Sequence, residues 1–241
     1  MTNIFISIIR WIIFFPTVIT GLIIFIILSF INVKLIYKVS KPICFVLAYI
    51  LGAKIKVKGH FPKDKKLVIM SNHCSFFDPF IFPFFMKGIY TGIVADYNLK
   101  FPLWKQFLLR LNAIPINREN RQEAIKGIQK AEQILDKGIN IAILPEGTRT
   151  VSGKLGKLKK GGFHLAINTN TSIIPVGING AFKLIPKTTW RLTPCDIVVK
   201  IGKPISTSIY NSEGVDGVLK IIENELKYLS GEINRVSSKG E

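Results

Sequence analysis

The sequence predicts an α/β protein: a mostly parallel central sheet with helices on both faces, preceded by an N-terminal membrane-embedded helical segment. Three observations carry that reading. From residue 54 onward, short apolar runs alternate with amphipathic helical stretches, the pattern of successive βα units. Before it, the 22 residues from Trp11 to Asn32 carry no charge, enough to cross a hydrocarbon core about 30 Å thick. Finally, 33 Lys and Arg stand against 15 Asp and Glu, a net charge of +18 that calls for an acidic partner. The expected division is residues 1–53 as membrane helices, either one span or a re-entrant pair, and 54–241 as the α/β domain.

Within the first part, Pro16 and Gly21 interrupt the apolar run, and both are tolerated in membrane helices. A cleaved signal peptide fits poorly, because the run is too long and no small-x-small site follows it. Lys34, Lys38 and Lys41 come next, then a second apolar run, Pro42 to Ala53. Twelve residues are too few to span, so this run is expected in the interface or as a re-entrant return. The lysines around it place everything after residue 33 on the cytoplasmic side of the cell membrane.

In the second part, Lys54 to Gly59 alternates with period two and reads as a lysine-rich edge strand. Leu67 to Ser71 and Thr91 to Ala95 are the next strands. Phe101 to Leu111 reads as a helix opened by Pro102. Ala113 to Asn117 is a short strand ending at Arg118. Glu119 to Lys137 is an amphipathic helix, with Ala124, Ile128, Ala131 and Leu135 inward and Gly138 as its stop. Asn140 to Leu144 is apolar enough for a central strand. A helix over Lys159 to Asn168, strands over Ser172 to Ile178 and Asp196 to Ile201, and a helix over Val215 to Leu229 complete the pattern.

The charge excess is uneven. Residues 1–59 hold seven basic side chains and no acidic one. Beside an apolar N-terminus this favours anionic lipid over nucleic acid, and no nucleic-acid partner is expected. Cys44, Cys74 and Cys195 are odd in number and scattered, which suits neither a disulfide framework nor a metal site.

The chemistry-bearing residues cluster after apolar strands, where open α/β sheets place their sites. Asn72-His73-Cys74-Ser75-Phe76-Phe77-Asp78 follows the second strand. On a straight helix, five residues at about 100° each would set His73 and Asp78 far apart. A strand-to-helix turn that folds Asp78 back would let its carboxylate hold one imidazole N–H and leave the other nitrogen as a base. The plainer alternative is a turn histidine and a helix-capping aspartate. Cys74 offers a thiol, but adjacent residues in a turn point apart. After the apolar strand at Asn140 to Leu144 comes Glu146-Gly147-Thr148-Arg149. Gly147 permits close backbone approach, Thr148 offers a hydroxyl and Arg149 a planar fork suited to phosphate. Glu146 is open to two roles, accepting a substrate hydroxyl or pinning the arginine. Arg118, at another strand end, would face the same crevice. Together they make an oxyanion site with a base beside it.

Asn-His-x-x-x-x-Asp at Asn72 to Asp78, the arginine at Arg118, Pro-Glu-Gly-Thr-Arg at Pro145 to Arg149, and Ile-Pro-Val at Ile174 to Val176 occur in that order. Lys159 to Ala166 fits the helix between the last two. In these blocks the sequence resembles the glycerophospholipid acyltransferases, closest to the bacterial 1-acyl-sn-glycerol-3-phosphate (lysophosphatidic acid) acyltransferases, over roughly residues 55–205. The resemblance implies that His73 is a general base oriented by Asp78. It implies that Arg118 and Glu146 to Arg149 bind phosphate and glycerol, and that Asn72 and Pro175 support the site. It also implies lysophosphatidic acid as acceptor, an acyl carrier protein or coenzyme A thioester as co-substrate, and no cofactor or metal. The sequence departs from the family at Ala95 to Lys100, where a basic residue and a Glu-Leu pair are common. It departs again at Asn112 and Asn117, where Gly and Asp are common. Two alternatives stand beside this reading: an acyltransferase acting on another acceptor (glycerol 3-phosphate, another lysophospholipid or lyso-ornithine lipid), and a non-catalytic membrane protein binding anionic lipid, which has no need of a His/Asp dyad.

Overall fold

The computed structural model describes residues 4–62, 66–117 and 120–234. The chain opens with α1 (Ile4–Ile31) and α2 (Val33–Leu51). Seven strands follow: β1 (Ala53–Lys58), β2 (Val68–Ser71), β3 (Tyr90–Ala95), β4 (Ile114–Ile116), β5 (Asn140–Ile143), β6 (Ile173–Asn179) and β7 (Cys195–Ile201). Between and after them lie α3 (Asp78–Ile81), α4 (Pro102–Arg110), α5 (Arg121–Asp136), α6 (Gly161–Asn168), α7 (Ala181–Leu184) and α8 (Tyr210–Ser230).

The strands form one sheet in the order β1-β7-β6-β2-β5-β3-β4. All neighbours pair parallel except β6 and β7. The lysine-rich first strand is an edge strand, as its alternation predicts. β2 occupies the middle, with β5 and β6 on either side, so the two loops singled out by sequence leave adjacent strands.

Period-two alternation sorts the strand side chains into two cores. Ile69, Ala142, Ile174, Val176 and Ile178 face one side, where they meet Phe14 of α1, Leu47 and Leu51 of α2, and Ile81 of α3. Val68, Met70, Ile141, Ile143 and Ile173 face the other, against Ala131 and Leu135 of α5, Phe163 of α6, and Ile222 and Leu226 of α8. The strands between are apolar on both sides because both sides are covered.

The N-terminal helices differ from the run lengths read in sequence. α1 starts at Ile4 and takes in Arg10. The Arg10 guanidinium donates to the carbonyl of Leu51 at 2.9 Å, so this cation satisfies a C-terminal carbonyl of α2. The second apolar segment, expected as a short run from Pro42, is instead the C-terminal half of a 19-residue helix. Asn32 caps that helix by accepting from the Lys34 amide, and Gly52 ends it at φ 78°. Its buried stripe is Ile36, Ser40, Cys44, Leu47, Ala48 and Leu51, while Lys34, Lys38 and Lys41 stay exposed. α1 is long and apolar enough to cross a membrane. Much of its surface is uncovered apolar side chain, including Phe5, Ile12, Ile27 and Phe30.

Candidate active site

The loop after β2 is organised by one carboxylate. Asp78 is the first residue of α3 and is fully buried. Its Oδ2 accepts from the backbone N–H of Cys74 at 2.8 Å and of Ser75 at 2.9 Å. The same oxygen lies 2.8 Å from Nδ1 of His73. This is the fold-back that the five-residue spacing required. The two backbone donors fix the carboxylate, and the carboxylate fixes the ring. With Nδ1–H donated to Asp78, Nε2 carries the free lone pair. The His73 side chain keeps 18% of its surface exposed against none for Asp78, so the ring, not the carboxylate, is open to a substrate.

Asn72 anchors the loop. Its amide donates to the Ile178 carbonyl at 2.9 Å and accepts from the Ile178 N–H at 2.7 Å, a two-point clamp onto β6. The Cys74 thiol lies buried near Asp78 and the Ile178 carbonyl. Burial, then the charge of Asp78, holds its pKa well above the usual thiol range. It is therefore a poor nucleophile, and the geometry gives it a packing role.

The loop after β5 splits into two kinds of residue. Glu146 is buried, and both its oxygens are taken. Oε1 accepts from the His73 N–H at 2.6 Å and Oε2 from the Gly156 N–H at 2.7 Å. It therefore ties the dyad loop to the segment 150–160 rather than pairing with Arg149. Burial raises its pKa above the ordinary 4.5, and its two backbone donors oppose that rise. Gly147 adopts φ 73°, and a Cβ there would sit 3.1 Å from Cε of Lys159. The glycine thus supplies both the left-handed turn and the space for the lysine stem. Thr148 is exposed and accepts from Lys187 Nζ at 3.1 Å. Arg149 is half-buried, and among the described residues no carboxylate lies within ion-pair distance of it.

Two openings flank these loops. A cavity of about 390 Å³ is walled by Trp11 and Phe15 of α1, Phe76, Trp190, Arg149 and Lys187. A groove of about 810 Å³ runs along the segment 150–160 and shares Arg149 and Lys187 with the first. Of the remaining sequence-predicted residues, Pro175 is buried in β6 opposite Met70. It lies one residue outside the β6–β7 ladder, where its carbonyl accepts from the Gly202 N–H at 2.9 Å. The alternation of β6 turns it to the face covered by α8, away from the His73 loop. Arg118 lies outside the described residues. Lys187 was not found by sequence reasoning: an exposed loop lysine in a chain this basic carries no signal. Nor were the Trp11 Nε1 bond to the Trp190 carbonyl, 2.8 Å, and the Leu192 N–H bond to Ser7 Oγ, 3.2 Å. Together these strap the 185–192 loop to α1.

Comparison with known proteins agrees with this architecture. An acyltransferase family model matches residues 54–179, over half of the chain and both site loops. A 1-acyl-sn-glycerol-3-phosphate acyltransferase of Limnanthes douglasii is 32% identical over 178 residues, 73% of this chain and 63% of that protein. Proteins of the same name from Pseudomonas aeruginosa and Borreliella burgdorferi are each 32% identical, over 156 and 151 residues. They align over 64% and 62% of this chain and 60% and 58% of their own lengths. The chain thus spans less than two thirds of these relatives. The crystal structure of the 1-acyl-sn-glycerophosphate (LPA) acyltransferase PlsC from Thermotoga maritima superimposes with a TM-score of 0.77 at 23% identity, covering 97% of both chains. That likeness is one of fold. By the family model's match over more than half of its length, this chain belongs to the acyltransferase family.

Proposed function

We propose that the protein transfers an acyl chain from a thioester to the sn-2 hydroxyl of 1-acyl-sn-glycerol 3-phosphate, giving phosphatidic acid. The observation that carries this reading is the His73 Nδ1–Asp78 Oδ2 contact of 2.8 Å, with the ring partly exposed and Arg149 free of any described carboxylate. Nε2 takes the proton of the acceptor hydroxyl as its oxygen attacks the thioester carbonyl. The C–O bond forms, the C–S bond breaks, and the imidazolium returns the proton to the departing thiolate. A base in this position contributes about 10²–10⁴ in rate. Asp78 holds the tautomer and stabilises the imidazolium. Arg149, and Arg118 by its place in the sequence, bind the acceptor phosphate through charge-assisted bonds. A thiolate leaves readily, so the reaction needs neither a covalent enzyme intermediate nor a metal.

α1, with its uncovered apolar surface, holds the site at a membrane where acceptor and product both reside. The lysines from Lys34 to Lys58 set the α/β domain on the cytoplasmic face. The test is a transfer assay on the full chain in lipid or detergent, with a labelled acyl thioester and either lysophosphatidic acid or glycerol 3-phosphate. Wild-type protein is expected to form phosphatidic acid from the lysolipid alone, and His73→Ala to form none while remaining folded and membrane-bound. An active His73→Ala protein would remove the dyad from the mechanism. Transfer to glycerol 3-phosphate alone would move the acceptor.

A further inference from the structure

The acceptor reading leaves the second substrate without a place, and the two openings differ in a way that supplies one. The cavity beside Trp11 and Phe15 is aromatic and continuous with the uncovered apolar side chains of α1. The groove along 150–160 includes no residue of α1 or α2 and is lined by Lys154, Lys157, Lys159, Lys160, Arg149 and Lys187. Its one lining carboxylate, Glu146, is occupied by two backbone donors. Lys160 is paired with Asp216 at 2.7 Å. Lys154, Lys157 and Lys159 are exposed and have no ion-pair partner among the described residues.

This lysine-bearing segment is also held in place. The Thr150 N–H donates to the His73 carbonyl at 2.9 Å, and the Lys159 N–H to the Pro145 carbonyl at 2.9 Å. Gly156 is bound to Glu146, and the Leu155 N–H donates to Glu232 at 2.8 Å. Buried Leu158 plugs the segment into the core beneath α6. Cations carried on a fixed backbone concentrate field over a groove better than those on a mobile loop, because less loop freedom is lost when an anion binds.

We propose that this groove binds the phosphate-bearing pantetheine arm of the acyl donor, with Lys154 and Lys157 as its outer cations. The inference rests on the acyl-transfer reading and divides its substrates. The lipid acceptor enters from the α1 side and the water-soluble donor from the lysine side, and they meet where both openings share Arg149 and Lys187. Coenzyme A and a carrier protein both present the same phosphopantetheine chemistry.

The test is the double variant Lys154→Ala/Lys157→Ala in the full chain, assayed with acyl-coenzyme A, an acyl-carrier thioester and an S-acyl-N-acetylcysteamine that lacks phosphate. KM for the two phosphate-bearing donors is expected to rise at least tenfold. KM for lysophosphatidic acid and transfer from the acetylcysteamine thioester are expected to stay at wild-type levels, and Lys154→Arg/Lys157→Arg to restore the donor KM. A larger loss with the carrier than with coenzyme A would add the carrier's acidic surface to the contact; equal losses would limit it to the phosphate arm. Binding of coenzyme A and of the holo-carrier, measured by calorimetry, is expected to weaken at least tenfold. That readout needs no turnover, so it tests the groove even if the wild type transfers to neither acceptor and the acyl-transfer reading itself fails. The proposal is overturned if both probes bind the variant as they bind wild type, if only the lysophosphatidic acid KM moves, or if the phosphate-free donor loses rate in equal proportion.

Discussion

The loops that leave β2 and β5 sit side by side in the sheet and are built on opposite plans. After β2, the ionisable groups are partnered by the protein itself: Asp78 accepts from His73, Cys74 and Ser75, and Asn72 is clamped to Ile178. After β5, the carboxylate is used up internally, and the hydroxyl and guanidinium are left outward, with Lys187 bonded to Thr148. The first plan suits a group whose orientation must be fixed before substrate arrives. The second suits groups whose partner is the substrate. The difference makes separable demands on kcat, on KM and on stability.

The largest effect is expected at Asp78. Asp78→Ala removes the one oxygen on which three donors converge, Nδ1 of His73 and the N–H groups of Cys74 and Ser75. kcat is expected to fall about 10²–10⁴-fold. The thermal transition should also drop, by about 1–3 kcal/mol of stability for a buried donor left unpaired. Steady-state kinetics and melting of the same preparation check both. A variant that loses acceptor affinity while keeping kcat would erase the division between the loops. Next comes Arg149→Ala, which is expected to raise KM for lysophosphatidic acid roughly 10- to 150-fold, the equivalent of about 1.5–3 kcal/mol. kcat and melting temperature should barely change, because no ion-pair partner among the described residues is lost. An uncharged monoacylglycerol acceptor should not distinguish the variant from wild type. Smaller again is Asn72→Ala, which unpairs the Ile178 N–H and carbonyl and is expected to cost about 1–3 kcal/mol in stability, read by denaturant titration.

Much of this was legible in the sequence, for reasons that can be named. The alternation in Lys54 to Gly59, the apolar runs before His73 and Glu146, and the helical periodicity over Ala131 and Leu135 are local signals, and the fold follows them. The His73/Asp78 pairing was legible only as a condition, since it depends on a turn. The backbone donors that make the turn, Cys74 N–H and Ser75 N–H, have no residue-type signature. Glu146 was open between accepting a substrate hydroxyl and pinning Arg149, yet its oxygens face the N–H groups of His73 and of Gly156, the latter ten residues downstream. That segment's return is set by the Lys159–Pro145 backbone bond and Leu158 burial, neither visible as a motif. The start of α2 was missed because the lysines at its N-terminal half mask an amphipathic stripe that runs from Ile36. The strap between Trp11 and Trp190 joins residues far apart in sequence, so no local pattern reports it.

The smallest effect tests whether Glu146 belongs to the fixed loop or to the substrate. Burial raises its pKa above the ordinary 4.5, so folding favours the neutral acid. The stability this contributes is full below the unfolded value and is lost as pH rises through the folded one. Glu146→Gln keeps the shape, one acceptor oxygen and an uncharged head, and does not titrate. Wild type minus variant melting temperature is therefore expected to be greatest at low pH and to fall as pH rises from about 4 upward. In a chain of this size about 1 kcal/mol corresponds to roughly 2–4 °C, so the change is small but measurable by a melting series across pH. A difference that instead grows with pH would mean that the His73 and Gly156 N–H groups outweigh burial and hold the carboxylate ionised. KM for lysophosphatidic acid decides the other half. If Glu146 serves only to join the two loops, the variant loses kcat through the His73 backbone and leaves acceptor affinity alone. If it reads the glycerol hydroxyl, KM rises with kcat retained, and the boundary between the two plans lies one residue earlier, at Pro145.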